Sequence, residues 1–484
     1  MNRRPGLHVL AACGFLLFAG GCEEEVPEPR QLLEVDLAQF NSPLAVSGWN
    51  EPGSWPQWGH DPLHTGRSGV DLESADLQLL WQFRPTNHVY AYVSGYSVWS
   101  TPVVGTVDGR PLVITGHYDN VVYAVDGRTG EKVWEFRPGT HVFASAALAR
   151  VGNRAMVFLP ARNRMIFALD AATGEKLWVV ETVNWAFTKA ESVMSSLTFY
   201  DDGSKQVLLA GVWNSDRSAT QNLQRGELLA LNPIDGREIW RRTLASQPIT
   251  TPAVARLAGE TFVFVVAHHG QMWALRLGDG SIRWERPLNE LSRSSPSVGI
   301  VGDSPRVFVG TRFHVVYALD PFTGRKFWRR KVGYWIDATP SWNRVGNDTV
   351  VAAGSYDRHV WALDATTGDM MWKQKTGNFA YSSPVWARVG DTPVVIAMSW
   401  DEQTYMFDAS TGAVLWRAAC NPLLWSYATQ GDSLWASPVV ARMDDQPTLL
   451  VAAFDGILYA FGPRRLESAT ADLSSRNPDS SFAR

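Results

Sequence analysis

Tryptophan recurs at positions 81, 134, 178, 240, 284, 328, 372 and 416, and the last four intervals are all 44 residues. Self-similarity at a fixed period of this length restricts a chain to a closed or stacked array of one small unit. The words that end on these tryptophans read AVDGRTGEKVW (124–134), ALDAATGEKLW (168–178), ALNPIDGREIW (230–240), ALRLGDGSIRW (274–284), ALDPFTGRKFW (318–328), ALDATTGDMMW (362–372) and MFDASTGAVLW (406–416). Each is an alternating apolar run, a short polar turn closing on Gly and a second alternating run, which is the pattern of a β-hairpin. Upstream, Ser/Thr-Pro recurs at 101–102, 251–252, 295–296, 339–340, 383–384 and 437–438, with Pro and Trp 32 residues apart in five copies. Two further short strands fit between them, so the unit is four antiparallel strands, A to D, the length of a propeller blade.

The repeat resembles that of the quinoprotein-type β-propellers, whose docking motif reads Ala-x-Asp-x-x-Thr-Gly-x-x-x-Trp, over roughly residues 55–462. The resemblance implies that Trp81, Trp134, Trp178, Trp240, Trp284, Trp328, Trp372 and Trp416 each lie flat on the neighbouring blade and are structural. Asn232 and Arg276 replace the Asp and Met406 the Ala, which touches local docking more than the fold. The final segment supplies strands A to C (437–443, 449–453, 457–461) without a D strand, while LQLLWQF at 77–83 is a D strand with no hairpin before it. Joining them predicts an all-β, eight-bladed propeller closed by both termini, which removes open sheet edges.

The N-terminus reads as a secretory signal over residues 1–21: MNRR, an apolar run from Leu7 to Phe18, then AGGC. It resembles a bacterial lipoprotein signal, which implies acylation of Cys22 and, with Glu23 following, an outer-membrane address facing the periplasm. Residues 22–54 are acidic and proline-containing and read as a solvated tether, and 463–484 as a loose tail. With Cys13 lost and Cys22 acylated, Cys420 stands alone and reads as a small buried hydrophobe. Removing Arg3 and Arg4 with the signal takes the formal charge from −4 to −6 without any basic block, so nucleic acid has no electrostatic footprint here.

In such a ring the A–B and C–D turns share one face, while the B–C turns and D–A crossings share the other. The A–B turns are short and uniform, whereas the insertions (84–99, 184–194, 211–227 and 417–436) all fall on the second face. Function concentrates on varied loops held by a rigid scaffold. The candidate binding face comprises His88, Tyr90, Tyr96, Trp99, His117, Asp119, Trp185, Lys189, Glu191, His268, Arg312, Trp335, Asp337, Tyr356, Asp357, Arg358, Tyr381, Trp400, Asp401, Trp425, Tyr427 and Trp435. Aromatics and hydroxyls with scattered charge suit a peptide segment, a sugar or a flat ring system better than a polyanion.

Catalytic signatures are sparse. Dehydrogenases of this propeller family hold pyrroloquinoline quinone (PQQ) near the axis against adjacent bonded cysteines, with calcium bound by Glu, Asn and Asp. This chain has no adjacent cysteines, and nothing in the spacing selects Glu191 and Asp337 as a calcium pair. GDSL at 431–434 has no downstream His to activate it, since the last is His359. His268 and His269, adjacent at a strand end, face opposite ways and do not share a metal. WPQWGHDPLHTGRS (55–68), with His60 and His64, reads as a structural lead-in. The expected protein is a non-catalytic, lipid-anchored scaffold resembling BamB-type outer-membrane assembly factors. Its expected partner is another envelope protein, such as a barrel-assembly component, and the N-terminal lipid is its only membrane contact. It needs no cofactor. The alternatives are a dehydrogenase using PQQ and calcium, and a glycan or surface-polymer binder.

Overall fold

The computed structural model describes residues 38–41, 47, 49, 51–85, 100–117, 119–142, 144–182, 192–193, 195–216, 223–244, 250–420, 436–453 and 455–464. These form eight sheets, each with at least four consecutively paired strands. Blade 1 is Val103–Val107, Arg110–Gly116, Val122–Asp126 and Lys132–Phe136, and blades 2 to 7 repeat it along the chain. Blade 8 takes A to C from Val439–Met443, Gln446–Ala452 and Leu458–Pro463, and D from Leu77–Phe83. Leu77 faces Pro463 and Phe83 faces Leu458 across that antiparallel closure. The ring is therefore the eight-bladed propeller that the repeat predicts.

One indole bond defines each seam. Trp81, Trp134, Trp178, Trp240, Trp284, Trp328, Trp372 and Trp416 donate Nε1–H to the carbonyls of Gly127, Ala171, Pro233, Leu277, Pro321, Ala365, Ala409 and Leu77, at 2.7–3.1 Å. The acceptor always belongs to the next blade, so the bonds run once round the ring. Where the next blade has a C–D turn, its glycine lies under the indole. At Gly368, with φ +78°, a Cβ would sit 2.7 Å from the Trp328 ring. Both the left-handed backbone and the close approach exclude any other residue.

A second circle lies at the start of the A strands. Thr101 donates its amide to Ser145 Oγ and Ser145 to Ser196 Oγ. Thr251 likewise donates to Ser295, Ser295 to Thr339, Thr339 to Ser383, Ser383 to Ser437, and Ser437 back to Thr101. Ser145 and Ser196 are not followed by Pro, so the hydroxyl, rather than the Ser/Thr-Pro pair, is the working feature.

The lead-in at 55–68 is the hub of the ring. Arg442, Val104, Leu148, Phe199, Val254, Val298, Trp342 and Trp386, one from the A strand of each blade, donate their amides to Gly53, Trp55, Pro56, the Gln57 side chain, Pro62, Leu63, Thr65 and Gly66 in turn. His64 lies wholly buried with Nδ1 2.8 Å from the Pro296 carbonyl, and desolvation lowers its imidazole to about 4. Arg67–Asp71 then runs parallel to the A strand of blade 7 before the chain reaches Leu77.

Two sequence expectations are corrected. The segment read as a solvated tether is partly packed, with Phe40 1% and Trp49 0% exposed. Gln39 bonds the backbone of Arg256, Arg150 lies 4.4 Å over the Trp49 ring, and Glu51 pairs with Arg150 at 2.8 Å. These partners sit near A–B turns, so the chain enters the ring from the plain face; burial of two large aromatic rings outweighs the ordering of a short segment. The insertion at 211–227 is not a loop but an extended hairpin, with Gln206–Asp216 paired to Leu223–Leu231 and with Ser192–Val193 on its outer side. Its residues continue the strands rather than interrupt them, which satisfies backbone groups that a loop would leave to water.

Gly346, in an A–B turn at φ +60°, has nothing within 4 Å of its Cβ position, which makes it a control for Gly368. Gly346→Ala should cost only the left-handed strain, about 1–2 kcal/mol. Gly368→Ala should cost roughly a further 1–3 kcal/mol for displacing the indole. Denaturant unfolding measures the difference; equal losses would contradict the docking role of the turn. Deleting residues 76–85 should abolish the cooperative melt of the whole ring, and a wild-type melt in that variant would contradict terminal closure.

Candidate functional site

The insertion-bearing face is organised by its B–C turns. Asn120, Arg164, Gly270, His314, Arg358, Glu402 and Gly456 all have positive φ, between +63° and +79°, at one equivalent turn position. The turn closes by an amide bond three residues back, as from Arg358 to Ser355 and from Glu402 to Ser399. The residue just before the left-handed position is Asp in four turns, and its carboxylate is consumed locally. Asp119 accepts from Tyr123, Asp357 from Trp361, Asp401 from Tyr405 and Asp455 from Tyr459, each an aromatic four residues on in strand C. Asp357 and Asp401 also accept the amides of Gly333 and Gly377 in the preceding crossings. Asp357 and Asp401 thereby fasten crossing to turn, while Asp119 is held within its own turn and strand by Val121 and Tyr123, which corrects the expectation that these three carboxylates face a ligand.

His117 is corrected likewise. It is 3% exposed, edge-on to Phe83 and Tyr123, and desolvation lowers its imidazole to about 3, so it is a neutral core histidine. His268 and His269 stand with ring centroids 5.7 Å apart and planes at 90°. Among the described residues no group of three or more His, Cys, Asp or Glu could hold a metal ion. His88, Tyr90, Tyr96, Trp99, Trp185, Lys189, Glu191, Trp425, Tyr427 and Trp435 lie outside the described residues, as do Cys22 and the GDSL word.

The remaining candidates converge on blades 5 to 7 as one aromatic ladder. From its outer end, His314 contacts Tyr334 with ring centroids 5.0 Å apart, and Tyr334 stacks on Trp335 at 5.1 Å. Trp335 meets Tyr356 at 5.9 Å, and Tyr356 meets both Phe379 at 5.1 Å and Trp400 at 5.9 Å, with Tyr381 beyond Trp400 at 6.2 Å. Arg312 lies 4.8 Å over Trp335 and grips Asp337 bidentately at 2.8 and 2.7 Å. Arg358 caps Phe379 at 6.0 Å. The ladder is buried at Tyr356 and Tyr381 but ends in the open at Tyr334, 40% exposed; Phe313, which precedes His314 in the chain, is 56% exposed. Phe313, Tyr334, Phe379 and Glu402 did not emerge from the sequence, although the period could have found two of them. Phe379 is Trp335 moved on by one repeat of 44, and Glu402 is Arg358 moved on by the same step.

Of the two acids that could in principle supply calcium, Asp337, with its side chain 5% exposed, has both oxygens on Arg312, and Glu191 lies outside the described residues; Cys420, the cysteine among the described residues, is buried with its thiol pushed up to about 12 by desolvation.

Glu402, at the seam of blades 7 and 8, is electrostatically distinct. Desolvation, followed by the charges of Asp455 and Asp401, raises its carboxyl from 4.5 to about 7. The Cys420 thiol and the Tyr381 phenol nearby stay neutral, because burial raises both. The folded chain therefore holds this proton more tightly than the unfolded chain, and stability falls as pH rises from about 4.5 to about 7. Glu402→Gln removes that penalty. Its Tm advantage over wild type should grow across this window and level off above it, and a difference independent of pH would contradict the assignment.

Among curated proteins, none matches this sequence. Among solved structures, the quinohemoprotein alcohol dehydrogenase from Comamonas testosteroni superposes with a TM-score of 0.65 at 15% identity, over 90% of this chain and 84% of that one. A europium-containing methanol dehydrogenase gives 0.64 at 14% identity, over 85% and 98%. BamB from Moraxella catarrhalis gives 0.52 at 16% identity, over 80% and 98%. At these identities the likeness is one of fold. The family described as outer membrane protein assembly factor BamB matches residues 70–298 and 279–481, nearly the whole ring, and the chain belongs to that family.

Proposed function

We propose that this protein is a non-catalytic scaffold of the bacterial envelope that holds a segment of another envelope protein, a barrel-assembly component, on its insertion-bearing face. The observation that carries this reading is the aromatic ladder, which spans three blades and surfaces at Tyr334, with exposed Phe313 next in the chain to its His314 end. Rigid aromatic anchors with arginines over their faces are the composition of protein-binding hot spots. Family membership supports the same reading.

The dehydrogenases of like fold favour no second reading, because Asp337 is taken by Arg312 and adjacent cysteines are lacking. Two titrations of the soluble ring test the proposal. Soluble domains of barrel-assembly proteins from the same cell should bind, and Phe313→Ala with Tyr334→Ala should weaken binding roughly thirtyfold, about 2 kcal/mol, with Tm unchanged. Quinone with calcium should give no saturable heat; micromolar binding would overturn the scaffold reading.

A further inference from the structure

Between blades 7 and 8, on the insertion-bearing face, a recess of ≈ 280 Å³, its mouth included, is lined by Tyr381, Met398, Ser399, Glu402, Cys420 and Asp455. Met398, Cys420 and Tyr381 give it apolar lining, and three oxygen-bearing residues, Glu402, Asp455 and Ser399, line it as well. Glu402 receives no side-chain hydrogen bond among the described residues, while its backbone carbonyl accepts the Cys420 amide and so fixes the turn against the recess. Ser399 is 1% exposed, and among the described residues its hydroxyl has no hydrogen-bond partner. A buried hydroxyl without a partner inside a recess is left with a lone pair to receive a donor and a proton to give.

The charge points the same way. The groups that act on Glu402 are acids, Asp455 and Asp401. Residues 421–435, which join the two blades in the chain, contain no Lys, Arg or His. A hard metal ion wants six to eight converging oxygens, and no such group exists among the described residues. A primary ammonium has three donors and no acceptor, and an alkyl stem suits the sulfur and aromatic walls, with the Tyr381 ring available for a cation–π contact.

We propose that the seam between blades 7 and 8 is a binding site for a primary alkylammonium group, received by Glu402 and Ser399 under the charge of Asp455. The group could belong to a free amine or to a lysine side chain of a polypeptide, and the chemistry is the same. The site is independent of the partner-capture reading above, because a small amine tests it without any partner.

The soluble ring is titrated at pH 8 with n-butylamine, and with n-butanol as the uncharged match, by ligand-observed NMR. The expected result is saturable binding of the amine, at least about tenfold tighter than the alcohol, or about 1.4 kcal/mol. Glu402→Gln should abolish that preference and Ser399→Ala should weaken it; the second variant carries the test if the first does not fold. Equal binding of alcohol and amine, or an amine affinity unchanged in both variants, would overturn the proposal. Competition by Nα-acetyl-lysine methylamide against n-butylamine identifies a polypeptide source. Amine binding without that competition identifies a free amine, and either outcome keeps the ammonium site.

Discussion

Every seam of this ring depends on one indole N–H meeting one backbone carbonyl of the next blade. A buried donor left without an acceptor costs about 1–3 kcal/mol, and the eight indoles are all satisfied in the same direction. The ring of each tryptophan must lie on the neighbouring turn for the bond to form, so the turn position beneath it can carry no side chain. This is why glycine recurs four residues before each tryptophan from 134 to 416. The seam between blades 7 and 8 lacks a C–D turn because the chain is open there, and Leu77, the first residue of the closing strand, supplies the carbonyl instead.

Closure by a single strand would leave the inner rim joined only through the outer one. The hub segment resolves this by taking one amide from the innermost strand of every blade, and the circle of hydroxyls adds a second inner tie. Both devices sit inside the ring, so the outward loops are freed from holding it together. A face relieved of that duty can vary, which is the physical basis for the insertions collecting on one side.

That face teaches caution about acids. Asp119, Asp357 and Asp401 look like candidate ligands in the sequence, yet each accepts a hydrogen bond from an aromatic side chain four residues on. What remains among the described residues of that face is apolar and aromatic, with the cations Arg312 and Arg358 laid over rings, together with Glu402, whose carboxyl is acted on by the neighbouring acids Asp455 and Asp401.

The fold was written in the sequence because a 44-residue period and a misplaced D strand are local features, and locality is all that hairpin formation and blade docking require. The tryptophans and turn glycines, the two-terminus closure and the separation of plain and varied faces were all legible in this way. Other features depended on contacts between residues hundreds of positions apart. No spacing announces that Phe40 and Trp49 bury themselves in the ring, that residues 53–66 bond all eight blades, or that Ser145 joins the hydroxyl circle without a proline. The aromatic ladder and the recess at Glu402 are of the same kind, because curvature brings turns from successive blades within reach of one another. The sequence by itself determined the repeat and therefore the ring; only the closed tertiary structure decided which side chains were spent on holding it and which were left to bind, since that division is settled by burial and partners rather than by residue type.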